Sequence, residues 1–376
     1  MFKEQRCLFF LFIFILILNF TLAAPDVTFP SPTPDSGSLT QSTSILINIS
    51  IVEPTLSTIT YDWNGVNFTV YSSSLVFLAN LNNDSNLNEN STQFQDISLK
   101  NITGSCVNCP TFNSTGGKSG GAYDFDGTND YLNFTNAITG ADFTNKTLMA
   151  WIYPQLSTGG MGIIDKDYDD SPGLYGGYGL WLQSNNKLWW WAHSNKDILD
   201  TGSLTAPDNT WTHVAVVWDN TSKMAYFYIN GRLNSNKSDT TIVENSSKTA
   251  SFVIGSIRSG SLSFFNGLID DPEVWNVSMT QQQIYQHYTS TLRKYNNTQW
   301  QLLVNQSQNA TQTLSYNTYS YYAVAQNISS DANTMSVRTL IIGFTTNGSV
   351  PEWGSYGTVF ILVIVFSGFF YVRRCN

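Results

Sequence analysis

The sequence predicts an all-β protein built from two sandwiches, and three observations carry that prediction. From Asp26 to Thr346 nearly every apolar run is short, rich in β-branched or aromatic residues, and closed by turn residues, which is the pattern of strands. Only 12% of residues are charged, about half the usual share, and polarity comes instead from Asn, Ser and Thr. Tight-turn pairs such as Asn230-Gly231 follow the apolar runs where a hairpin would reverse.

The elements follow in chain order. Lys3 and Arg6 precede an uncharged apolar run from Cys7 to Phe20, and small residues follow at Ala23 and Ala24. This reads as a secretory signal peptide, residues 1–23. Proline directly after a cleavage site is disfavoured, so Pro25 places the cut after Ala23. The alternative, an uncleaved membrane anchor, meets a run that is short for a span.

Strands are expected at Ser44–Val52, Thr58–Trp63 and Val66–Tyr71, and again at Gln299–Asn305, Ser320–Gln326 and Met335–Ile342. Each set leaves an apolar face uncovered, and three strands rarely stand alone. Together they have the strand number of an Ig-like sandwich. Residues 26–73 and 290–346 are therefore read as one Ig-like domain, split by insertion of residues 74–289 at a tolerant loop. The alternative is two small independent β modules. Within the insertion, Tyr178–Leu182 pairs with Lys187–Ala192, and Thr212–Trp218 with Met224–Ile229. Thr280 to Tyr288 reads as a helix, with Thr280 as its cap.

Residues 354–372 carry no charge and are followed by Arg373 and Arg374. About 20 such residues cross a bilayer as a helix, with the arginines on the cytoplasmic side. The expected location is therefore the cell surface, with the mass of the protein outside and the membrane as a partner at the C-terminal end. The net charge of −9 argues against nucleic acid, which needs a basic face.

Two resemblances sharpen this reading. Gly121-Ala122-Tyr123-Asp124-Phe125-Asp126-Gly127 opens a series continued by Asn129-Asp130-Tyr131 and Leu148-Met149-Ala150-Trp151-Ile152-Tyr153-Pro154. Trp211-Thr212-His213-Val214-Ala215, Tyr228-Ile229-Asn230-Gly231-Arg232 and Phe265-Asn266-Gly267-Leu268-Ile269-Asp270-Asp271-Pro272-Glu273-Val274 complete it. In this order the motifs resemble the LamG-like jelly-roll family of concanavalin A-like lectin/glucanase domains. The resemblance implies two packed antiparallel sheets over residues 74–289 and specifies no particular ligand. At the other end, Val350-Pro351-Glu352-Trp353, the apolar span and Arg373-Arg374 resemble the sorting tails, here residues 350–376, read by archaeosortases and exosortases. That resemblance implies a tail cut and replaced by a lipid anchor. A plain transmembrane anchor is the alternative.

Candidate sites follow from strand alternation and residue chemistry. If Leu180, Leu182, Leu188 and Trp190 face the core, then Trp181, Trp189, Trp191 and His193 face out. Three neighbouring indoles would form an apolar patch suited to the flat face of a sugar ring. The competing reading packs them under a loop or against the other sandwich. Asp126, Asp130, Asp270 and Asp271 lie on strands that neighbour one another in the LamG-like fold, where related jelly rolls bind calcium. The resemblance thus implies a structural calcium ion, against turn-capping as the ordinary use of these aspartates. Asp165 to Asp170 form a second acidic group, expected on a loop.

Cys106 and Cys109 are read as a local disulfide, since no second ligand pair for zinc accompanies them. Asn-x-Ser/Thr acceptors recur through the exported part, among them Asn67, Asn113, Asn145, Asn220, Asn245 and Asn305, which predicts a glycosylated surface. The Glu-x-Asp-x-x-Glu strand of the glucanase branch does not occur, so an enzyme is not expected. The leading expectation is a surface glycoprotein that binds carbohydrate or another extracellular ligand in adhesion. The alternatives are an envelope scaffold making only protein–protein contacts and, third, a surface glycosidase. N-terminal mass spectrometry of the exported chain is expected to find Ala24 first, and a mature chain beginning at Met1 would replace the signal peptide with an anchor.

Overall fold

The computed structural model of the chain describes residues 23–134, 144–155, 159–169, 175–192, 196–242 and 250–343. The segment up to residue 22, the sorting tail and the span 354–372 lie outside the described residues. Among the described residues no helix is long and apolar enough to cross a membrane.

Strands from the two ends of the described chain share two sheets. One runs in the order Asp26–Thr28, Ile45–Val52, Gln299–Gln306, Ser290–Lys294. Alternation explains why Ile45–Val52 belongs there: Ile45, Ile47, Ile49 and Ile51 are buried, while Leu46 and Val52 are exposed. The other runs Ser38–Thr40, Arg338–Ile342, Asn317–Asn327, Leu56–Trp63, Val66–Tyr71, with Ala332–Thr334 added on Asn317–Asn327. Tyr319, Tyr321, Ala323 and Ala325 supply its inward face. The strand expected at Met335–Ile342 starts later, at Arg338, and a separate short strand Ala332–Thr334 precedes it, the two pairing with different stretches of the same neighbour.

Between these ends in sequence stands a second, larger sandwich. Its first sheet runs Arg232–Ser238, Met224–Ile229, Thr212–Asp219, Lys146–Pro154, Asn266–Trp275, Ala122–Asp126, Thr111–Asn113, with Leu75–Leu78 also on Asn266–Trp275. Its second runs Lys196–Leu199, Leu188–Ala192, Tyr175–Leu182, Met161–Asp169, Val253–Ile254, Tyr131–Asn133, Thr103–Val107, Gln93–Gln95. Leu148, Ala150 and Ile152 from the first sheet meet Ile164, Leu180 and Trp190 from the second in one apolar core. The hairpin turn at Asn230-Gly231 has φ of 49° and 71°, the left-handed pair that a two-residue hairpin needs. The acidic run from Asp165 is not a loop: strand Met161–Asp169 carries it as far as residue 169, because pairing with Tyr175–Leu182 extends to Asp169.

The outer face of the first central sheet is not solvated. Met149, Ala215, Val217, Tyr228 and Trp275 belong to the same apolar cluster as Ile59, Tyr61 and Leu302 of the terminal sandwich. The helix Gln281–Thr289 sits at this junction, against Arg232–Ser238 on one side and Val66–Tyr71, Ser290–Lys294 and Gln299–Gln306 on the other. Its start is fixed by a reciprocal box in which Gln283 N–H donates to Thr280 Oγ1 while Thr280 N–H donates to Gln283 Oε1. Ile284 is fully buried. Glu273, on the same sheet face, accepts from the Trp275 indole at 2.8 Å and lies 3.2 Å from His287 Nδ1 on the helix. Burial alone would raise the Glu273 carboxyl, but His287, the Trp275 bond and His213 outweigh it and hold the carboxyl low.

Ile49 pairs with Leu302 across the two ends of the chain, and both are fully buried. Ile49→Ala is expected to cost about 2–5 kcal/mol in a denaturant melt, and to loosen residues 23–71 and 290–343 together in hydrogen exchange.

Candidate functional site

The outer face of the second central sheet carries the tryptophans singled out by strand alternation. Trp181, Trp189 and Trp191 do share that face, apart from the main core that holds Trp190. Trp181 stacks on Trp191 at 5.3 Å and 10°, and Trp189 meets Trp181 edge-on at 4.8 Å. The expected open platform is not what results, because Trp181 and Trp191 are each only 3% exposed. The reason is the segment after Val253–Ile254. Ile257 packs into the indole cluster, and the Arg258 N–H donates to Asp165 Oδ2 at 3.0 Å. Asp165 also accepts from the Trp181 indole at 2.8 Å, so this buried carboxylate ties strand, indole and covering segment together. Trp189 remains half-buried, its N–H donating to Asp197 at 2.9 Å. His193 lies outside the described residues.

The four aspartates proposed for calcium do not converge. Register places Asp126 opposite Asn266, whereas Asp270 lies four residues further along the same strand, roughly 13 Å away at 3.3 Å per residue. Asp126 Oδ1 caps a turn, accepting from Thr128 and Asn129 N–H, and Asp130 accepts from Asp126 N–H. Asp270 accepts from Ser119 and Asp271 N–H, and Asp271 from the Asn80 amide. Among the described residues no group of three or more His, Cys, Asp or Glu could hold a metal ion. Asp126 and Asp130 thus lie apart from Asp270 and Asp271, and each of the four carboxylates accepts from a nearby N–H group.

Asp270 and Asp271 instead form a buried pair at the junction of the sandwiches. Burial pushes both carboxyls up, and the charge of Asp271 adds to this for Asp270. Asp271 is pushed up to about 7, with the Asn80 bond and Arg293 opposing. His213, a buried neighbour of Trp151 and Tyr288, is held down at about 3 by burial, with Glu273 opposing.

Cys106 and Cys109 are joined by a disulfide with Cα atoms 4.9 Å apart. Asn67, Asn113 and Asn305 are exposed, while Asn145 and Asn220 are half-buried. The Asn145 oxygen accepts from Asn220 N–H and the Asn220 oxygen from Lys223. Asn245 lies outside the described residues.

One feature escaped the reading of the sequence. Between the helix start, the Asn230-Gly231 turn and the terminal sandwich lies a cleft of about 850 Å³. Its floor is aromatic, with Trp63 stacked on Tyr319 at 5.2 Å and 17°. Its walls are largely amides, among them Gln281, Gln282, Gln286 and Gln308. The lining residues come from four separate stretches, so only the closure of the terminal sandwich brings them together.

The arrangement is a central β-sandwich with a second sandwich on one outer face. Residues 126–285 match the family model described as the concanavalin A-like lectin/glucanases superfamily. No curated protein matches the chain. Similar solved structures include domain 4 of AbnA, a GH43 extracellular arabinanase from Geobacillus stearothermophilus, in complex with arabinotriose. It is 19% identical with a TM-score of 0.42, over 56% of this chain and 96% of that one. Trypanosoma rangeli sialidase in complex with sialic acid is 15% identical with a TM-score of 0.44, over 60% of this chain and 34% of the sialidase, about a third of its length. Ruminococcus gnavus IT-sialidase CBM40 bound to alpha2,3 sialyllactose is 10% identical with a TM-score of 0.37, over 43% of this chain and 93% of that one.

The raised Asp271 carboxyl has a stability consequence. Its folded value of about 7 lies above the ordinary unfolded value, so the folded state holds the extra proton. Its favourable contribution is complete below about pH 4 and is lost as pH rises through about 7. Asp271→Asn keeps an oxygen for Asn80 and suits the φ of 44° at this position. Thermal melts at pH 5 and pH 8 are expected to show a smaller drop for the variant than for the parent. Equal drops would remove Asp271 as a titrating group.

Proposed function

We propose that the chain is a cell-surface glycoprotein whose central jelly roll binds carbohydrate, displayed on an Ig-like sandwich and held at a membrane by its C-terminal segment. The reading starts from the superfamily of residues 126–285. The observation that supports it most directly is Trp189. This half-buried indole is fixed in orientation by Asp197 and by edge-on packing against Trp181. A rigid aromatic ring with one accessible side is the form that stacks on a sugar ring, because little rotamer freedom is lost on binding. In this reading the protein is a binding protein and not an enzyme. Hydrolysis needs two carboxylates facing each other across a groove, and the adjacent buried pair Asp270 and Asp271 is committed to bracing the sandwich junction.

A second reading, an envelope scaffold making only protein–protein contacts, is favoured by the burial of Trp181 and Trp191 with Ile257 packed against them. The two readings separate on a glycan array probed with the full chain. Carbohydrate recognition predicts selective binding that Trp189→Ala weakens about tenfold, or ~1.4 kcal/mol, without lowering the melting temperature to match. Absence of binding across the array would favour the scaffold.

A further inference from the structure

The cleft between the two sandwiches has the chemistry of a ligand site, and nothing in the structural role of its residues accounts for that chemistry. Its volume of about 850 Å³ lies within the range of about 300–1,000 Å³ typical of small-molecule sites, and junctions between domains are where such sites concentrate. The lining contains no carboxylate, in a chain with a net charge of −9. The only charged side chain on it is that of Arg232, exposed beside the Asn230-Gly231 turn.

The amides of the lining fall into two groups. Gln286 and Gln306 are anchored. Gln286 donates to Thr289 and Ser290, and Gln306 accepts from the Tyr61 hydroxyl and donates to the Ser307 carbonyl. The side-chain amides of Gln281, Gln282 and Gln308 are exposed and make no hydrogen bond with another described residue. Below them, the Trp63 indole is 8% exposed, and its N–H also has no partner among the described residues. Stacking on Tyr319 fixes that ring, and the hydroxyl of Tyr319 is itself held by Ser315. The cleft thus offers a rigid aromatic floor with one donor, and three amides that each present both a donor and an acceptor.

We infer that this cleft binds a neutral oligosaccharide, at a site separate from the Trp189 face, and that the occupant bridges the jelly roll and the terminal sandwich. The inference rests on the carbohydrate-binding reading above. Sugar hydroxyls donate and accept at once, and an amide answers both with one group. The apolar side of a pyranose matches the Trp63–Tyr319 floor. A lining without carboxylates carries no negative charge to neutralise a metal or a cationic ligand, and a single exposed guanidinium does not make a polyanion site.

The test uses the full chain on an array of immobilised neutral and acidic oligosaccharides. Its variants are Gln281→Ala/Gln282→Ala/Gln308→Ala, Gln308→Trp to fill the cleft, Arg232→Ala, and Trp189→Ala as the reference for the other face. None of the three glutamines bonds through its side chain to another described residue, so the triple variant is expected to keep the parental melting temperature. The inference expects at least a tenfold loss of binding to neutral glycans in both the triple and the Gln308→Trp variants, with Arg232→Ala close to the parent. Binding lost in Trp189→Ala but retained in both cleft variants would overturn the cleft and leave the carbohydrate-binding reading standing. Loss confined to acidic glycans in Arg232→Ala would overturn the neutral ligand class. No binding by the parent to any glycan would overturn both readings together.

Discussion

The antiparallel pairing of Ile45–Val52 with Gln299–Gln306 is the constraint on which the remainder of the molecule depends. It joins eight residue pairs, from Ile45↔Gln306 to Val52↔Gln299, across the whole length of the central sandwich. The Glu53 N–H donor to the Thr298 carbonyl extends it by one bond at 2.7 Å. Closing so long a loop costs only slightly more entropy than closing a shorter one, because the cost grows with the logarithm of its length. The buried isoleucines on one strand and Leu302 and Val304 on the other offset it. Once closed, the pairing sets the terminal sandwich against the first central sheet. The outer face of that sheet thereby becomes an interior, with Trp275, Met149 and Val217 in an apolar cluster.

An interior made this way also contains ionisable groups, and each is handled locally. Glu273 keeps its charge because His287 and the Trp275 indole face it. Asp270 and Asp271 are given backbone and amide donors and the charge of Arg293, but burial outweighs these and favours their neutral forms. His213 Nδ1 has no hydrogen-bond partner among the described residues, and burial holds the ring neutral for the same reason. Both outcomes follow from one rule, that a buried charge persists only where its partners outweigh the cost of burial.

Strand period made much of this legible. The alternation in Ile45–Val52, the paired runs either side of Asp219–Lys223, the Asn230-Gly231 turn and the Thr280 cap all declare themselves within a few residues. The sharing of a face by Trp181, Trp189 and Trp191 was legible for the same reason. Their covering was not, since it depends on Ile257 and Arg258, some 65 or more residues later in the chain, and on a bond to Asp165 that no local pattern announces. The dispersal of the four aspartates was hidden likewise. Neighbouring strands were anticipated, but a register offset of four residues along them separates the carboxylates, and register is a property of the pair. The cleft was least legible of all, because Trp63, Arg232, Gln282 and Gln308 come together only in three dimensions.

The closure of the terminal sandwich by both ends of the chain also decides how the molecule bears tension. A pull applied between residues near Asp26 and residues near Ile342 acts first on strands of the terminal sandwich, since both positions lie within it. The central jelly roll enters and leaves through that same unit, so it lies outside the load path until the pairing of Ile45–Val52 with Gln299–Gln306 has torn. The fold therefore behaves as a shackle around its central domain, whose sheets keep their shape under strain while the outer clasp bears the force.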